Sequence, residues 1–193
     1  MTELADIGEL PPGWISWEIE PIEPGGRRKA DEVLAGSVNA LSRVVSRHVL
    51  RQEAGSSRRK RGLTSSVRGG FGLINRRDYS FLDSFAEDCH VKYAAITGLG
   101  MAADAHGPEE VRNTLEENWE PFESITQLPR VIIDAGGPQF AAGVEVIWVG
   151  KSSGLEIREF YWYVWCLENN EVDRVLVTTD RNEAFAFYAE RIA

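Results

Sequence analysis

Residues 75–96 read NRRDYSFLDSFAEDCHVKYAAI. This stretch decides the fold, because a helical pattern gives way to a strand within a few residues. Upstream, Val67, Phe71 and Ile74 recur at helical spacing and the stripe ends at Asn75. Asp78 is placed to cap a short helix over 79–85, since its carboxylate can reach the free N–H groups of a first turn. CHVKYAA then reads as a short strand.

Downstream, GLGMAADAHG is a glycine-broken loop. PEEVRNTLEENWEPF follows as a helix with Pro108 at its first turn and acids beside it, as the helix dipole favours. Its apolar face is Val111, Leu115, Trp119 and Phe122. Strand-like runs come next at about 124–134, 140–149, 155–167 and 172–179. They are divided by AGGPQ, GKSSG and ENNE, all turn chemistry, so they predict an antiparallel meander. DRNEAFAFYAERI closes the chain as a helix, with Asp180 and Glu183 at capping-box spacing. The predicted class is α+β: a strongly curved antiparallel sheet wrapped around helices, a cone-shaped α+β barrel with a cavity and an N-terminal helical extension.

A chain of 193 residues with 43% apolar residues suits one domain and an appendage. The expected division is 1–62 and 63–193, the second part folding alone. Within the first, a Pro- and Gly-rich arm docks through Trp14, Ile15 and Trp17. A helix carries Val33, Leu34, Val38, Leu41, Val45 and Val49 on one face and Arg43, Arg47 and Arg51 on another. EAGSSRRKRG, residues 53–62, reads as a solvated hinge.

Residues 1–25 carry six acids and no Lys or Arg, 26–62 carry ten basic residues against three acids, and 63–193 carry eleven against twenty-one. An acidic main body repels phosphate backbones, so no nucleic-acid partner is expected. No apolar run reaches membrane-spanning length and the N-terminus is not a secretory signal, so no membrane partner is expected. Cys89 and Cys166 are too few and too far apart for a metal or redox motif. They read as reduced, buried thiols of a cytoplasmic protein.

Three stretches, FGLINRRDYSFLDSFAEDCHVKY, HGPEEVRNTLEENW and REFYWYVWCLENNEVDRVLVTTDRNEAF, carry a resemblance. In this order and spacing they resemble the nuclear transport factor 2-like superfamily in its SnoaL-like branch, over about 63–193. The resemblance implies a pocket between a concave sheet and its helices. It also implies where chemistry would sit. Steroid isomerases of the superfamily carry acids at the places aligned with Tyr93 and Tyr163 and a tyrosine at Gly70. SnoaL-like cyclases carry an acid near Val177. None of the acids is matched here, and a phenol of ordinary pKa near 10 is a poor base at neutral pH.

Strand alternation assigns the pocket faces. Val91 and Tyr93 go together, with His90 and Lys92 opposite. Tyr161, Tyr163 and Trp165 share a face, with Phe160, Trp162 and Val164 on the other. Val175 and Val177 go together on the last strand. With Phe71, Val111, Leu115 and Trp119 from the helices, these inward residues are the candidate ligand-binding set. Tyr93 and Tyr163 are the candidate catalytic donors. His48, His90 and His106 show no metal-ligand spacing, so no metal is expected. GLG fits no phosphate loop, so no cofactor is implied. His106 is expected to make a helix-start hydrogen bond.

Three readings remain open. One is a binding domain for a small apolar or aromatic ligand. Another is a cofactor-independent lyase or isomerase, cyclase- or dehydratase-like. The third is a dimeric assembly module, since Phe160 and Trp162 would be costly to expose.

Overall fold

The computed structural model describes residues 8–20, 49–94 and 104–190. Most of the basic amphipathic helix expected over 33–49, including His48, lies outside the described residues, as does most of the glycine-broken loop. Strand β1 (Ile15–Glu18) comes first, then helix α1 (Ser57–Asn75) and a 3-10 turn (Tyr79–Ser84). Strands β2 (Phe85–Tyr93) and β3 (Asp104–His106) lead into helix α2 (Gly107–Trp119). The meander follows as β4 (Phe122–Asp134), β5 (Gln139–Gly150), β6 (Glu156–Glu168) and β7 (Glu171–Thr178), and helix α3 (Arg181–Ala189) closes it.

Among the described residues one sheet holds every strand, in the order β1-β4-β5-β6-β7-β2-β3. It is curved and unclosed, the α+β cone that the sequence predicts. The pairing corrects one expectation: β2 runs parallel to β7, and only the remaining pairs are antiparallel. Register shifts bend the strands, at Pro129–Val131 in β4 and between Phe85 and His90 in β2. Pro129 has no N–H to give a ladder, so a bulge beside it costs little. At the β6–β7 turn, Asn169 and Asn170 both take positive φ, 50° and 73°, as a tight two-residue hairpin requires.

The concave face packs on α1 and α2 through a core that includes Val67, Phe71, Val111 and Trp119. The convex face has its own core, in which Trp162, Val164 and Leu176 pack with Ala184 and Tyr188 of α3. Trp162 is only 4% exposed and its ring meets Phe185 at 5.7 Å. The chain itself therefore covers Trp162, while Phe160, the other residue of that face, is only partly buried.

The hinge expectation is also corrected. Ser56 caps α1 by accepting from the Arg59 N–H, so the helix begins inside the basic cluster and passes through residue 62. Arg59 is fully buried. Its Nε and Nη2 donate to the two Asp134 oxygens at 2.8 Å each. Nη1 donates to the Leu50 carbonyl at 2.9 Å and Nη2 to that of Gly137 at 2.9 Å. A buried guanidinium needs every donor placed, and this one ties three segments together. The N-terminal arm docks as expected. Strand β1 pairs with residues 131–134, and the Trp17 indole N–H donates to Thr64 Oγ1 at 3.0 Å.

Smaller boundaries shift for local reasons. Asp78 caps a 3-10 turn rather than an α-helix, accepting from the Ser80 N–H at 3.0 Å. Hydrogen bonding from Ser80, through its side chain first and its backbone N–H second, holds the Asp78 carboxyl below the usual range. Phe122 opens β4 instead of ending α2, because Pro121 cannot extend a helix. At α3, Asp180 Oδ1 accepts from the N–H groups of Asn182 and Glu183, as capping predicts. Glu183 does not reach back to the Asp180 N–H. Thr178 takes that place: its hydroxyl accepts from Asp180 and donates to Glu183. Asp180→Ala should lower stability by about 1 kcal/mol and leave ligand binding unchanged. Chemical denaturation beside a binding titration checks both parts.

Candidate functional site

A cavity of about 270 Å³ lies between α1 and the concave face. Alternation on β2 turns Val91 and Tyr93 into it and Lys92 outward, where its ammonium meets Glu183 of α3 at 3.4 Å. On β6, Tyr163 and Trp165 face it, and on β7 Val175 and Val177 do. Helix α1 supplies Phe71, and α2 supplies Val111 and Leu115. Trp119 and Tyr161 are inward but border a separate chamber of about 30 Å³ beside the main cavity. They are displaced because Tyr161 sits nearer the start of β6 and Trp119 nearer the end of α2.

The wall is mainly aliphatic, with an aromatic group on its sheet side. Phe71 meets Tyr163 edge-on at 5.1 Å, and Trp165 stacks on Phe140 at 4.9 Å. Such offset and edge contacts fix ring positions as well as bury area. Among the described residues, none lining the main cavity is an Asp, Glu, Lys, Arg or His. Its polar groups are neutral: the two phenols, Gln127, Asn170 and three serines.

Two residues outside the candidate set, Asn75 and Gln127, organise that polarity. Asn75, the last residue of α1, pins the Gln127 backbone with both ends of its carboxamide, at 2.8 and 2.9 Å. The Gln127 side-chain oxygen then accepts from the Tyr163 hydroxyl at 2.9 Å. Gly70 of α1 also lines the cavity, and a Cβ added there would meet nothing within 4 Å. The helix end at Asn75 was legible, but no periodicity says that its side chain reaches β4.

Tyr93 makes no hydrogen bond to another described residue that would lower its pKa. Burial pushes its phenol above the ordinary value, and the nearby Cys89 adds to this. Burial does the same to Tyr163, with Tyr93 beside it adding to the shift. Both are therefore neutral donors at any physiological pH and cannot serve as bases. The Tyr161 phenol is likewise raised, by burial and by its short hydrogen bond to Glu159.

The two described histidines lie elsewhere. His90 and His106 stack at 4.4 Å on the β2–β3 edge, with Asp104 3.7 Å from the His90 Nε2. The helix-start bond at residue 106 exists, but the backbone N–H makes it, donating to Glu110 at 2.9 Å. Cys89 and Cys166 are buried thiols. Among the described residues no helix is long and apolar enough to cross a membrane.

No protein-family model matches the sequence, and no curated protein does. Solved structures do match. A nuclear transport factor 2-like protein of unknown function from Burkholderia pseudomallei is 19% identical with a TM-score of 0.53, over 62% of this chain and 92% of that one. A nuclear transport factor 2-like protein from Burkholderia thailandensis is 14% identical with a TM-score of 0.52, over 62% and 93%. TerC, co-crystallised with polyporic acid, is 15% identical with a TM-score of 0.52, over 64% and 95%. The shared fold is the nuclear transport factor 2-like fold, as the sequence resemblance implies.

Proposed function

We propose that this nuclear transport factor 2-like fold binds a neutral, largely apolar small molecule in the cavity between α1 and the concave sheet. The observation that carries the reading is a cavity of about 270 Å³ whose described lining is apolar or neutral at physiological pH, with no Asp, Glu, Lys, Arg or His. A buried charge there has no partner among the described residues, so a charged ligand is disfavoured, whereas an apolar body matches the aliphatic and aromatic wall. TerC, of the same fold, was co-crystallised with polyporic acid, which agrees with the fold's capacity to hold a small molecule. The buried thiols fit a reducing, cytoplasmic setting.

The test compares 2-acetylnaphthalene with the 2-naphthoate anion by calorimetry at pH 7. The neutral compound should bind at least about 100-fold more tightly, given the cost of an unpaired buried charge. Equal or tighter binding of the anion would refute the reading.

One observation keeps an enzymatic reading alive. The Tyr93 phenol faces the cavity as a neutral donor with no partner that lowers its pKa. A lyase or isomerase could use it to hold a developing oxyanion. Tyr93→Phe separates the two. A binding protein loses at most about 0.5–1.5 kcal/mol of affinity, while an enzyme loses on the order of 100-fold in turnover.

A further inference from the structure

Two residues that line the small chamber beside the cavity carry buried donors without a partner among the described residues. Asn118 and Trp148 both line it, at 8% and 5% exposure. Asn118 Nδ2 and the Trp148 indole N–H are buried without a hydrogen-bond partner among the described residues. Unpaired buried donors are rare enough that each needs a cause. The chamber shares Tyr93, Leu115, Gln127, Tyr163 and Val177 with the main cavity, so it lies directly alongside.

The hydrogen-bond directions around it are largely fixed. Tyr163 donates to Gln127, and Tyr161 donates to Glu159. The unmet need of the chamber is therefore for an acceptor, not a donor. Its volume, about 30 Å³, is the size of one small group. A carbonyl oxygen has two lone pairs and no proton, which matches two free N–H donors. A carboxylate would also accept, but among the described residues no cation lines the chamber to pair with it.

We infer that this chamber anchors a carbonyl oxygen of the ligand, whose apolar body fills the main cavity beside it. This rests on the apolar-ligand reading and narrows it to a neutral carbonyl compound. Asn118 and Trp148 are the specificity-determining residues. The indole keeps its place through Phe122, whose ring lies 4.8 Å away, so Trp148→Phe removes the N–H and retains aromatic packing.

The experiment measures the affinities of 2-acetylnaphthalene and 2-ethylnaphthalene for wild type, Trp148→Phe and Asn118→Leu. These probes share a shape and differ in the oxygen. In each variant the ketone-to-hydrocarbon affinity ratio should fall by about tenfold. Hydrocarbon affinity should hold within about twofold, which also shows that the variant is folded. A ratio unchanged in both variants overturns the anchor and leaves the apolar pocket standing. Wild type that binds neither probe overturns the pocket reading, and the anchor with it.

Discussion

Arg59→Met should destabilise the protein by about 3–5 kcal/mol, the largest effect of any single change considered. The substitution keeps much of the side-chain volume but leaves Asp134 as a buried carboxylate, with both partners originally at 0% side-chain exposure. It also frees the carbonyls of Val49 and Leu50, which Arg59 holds and whose side chains line the cavity. Arg59→Lys should rescue only part of the loss, because an ammonium cannot reproduce the two-pronged contact. The double change Arg59→Met with Asp134→Leu should recover more than Arg59→Met alone, since no charge is then stranded. Urea denaturation of the four proteins checks this. A loss under about 1 kcal/mol for Arg59→Met would mean that the pair behaves as a surface ion pair.

Alkaline pH should produce the second large effect. Tyr93 and Tyr163 have folded-state pKa values raised above the ordinary phenol value by burial. Their contribution is fully present below the unfolded pKa near 10 and is lost as pH rises through the folded value. Above about pH 10 each should cost about 1.4 kcal/mol of stability per pH unit. The melting temperature should therefore stay level from about pH 7 to 9 and fall steeply beyond 10. Replacing both tyrosines by phenylalanine should make that fall shallower. A decline that begins below about pH 9, or one that the double variant leaves unchanged, would place the titrating groups elsewhere.

The fold was legible because its signals are local and periodic. Val67 and Phe71 mark one helix face, alternation marks β6, and the ENNE turn marks a hairpin. Alternation also put Val91, Tyr93, Tyr163, Trp165, Val175 and Val177 on one side of the sheet, where they line the cavity. What stayed hidden was long-range or irregular. The bulge at Pro129–Val131 changes the parity of β4: Ile125 and Ile132 lie in the concave core, while Val131 and Ile133 lie in the convex one. A period of two cannot be carried across it. Arg59 looks like its neighbours in RRKR, and only Asp134, 75 residues away, distinguishes it. Trp162 looked exposed because the closing helix that covers it comes later in the chain.

The central claim is that the ligand occupies the cavity against α1. Gly70→Phe tests it most directly. Glycine inside a helix costs about 0.5–1 kcal/mol relative to alanine, and an added Cβ at Gly70 meets open space. The phenyl group should fill the cavity without harming the fold. Calorimetric titration with 2-acetylnaphthalene should show affinity reduced by on the order of 100-fold or more, with a melting temperature at least equal to wild type. A folded Gly70→Phe protein that binds the probe with wild-type affinity would contradict the account, because the ligand would then lie somewhere else.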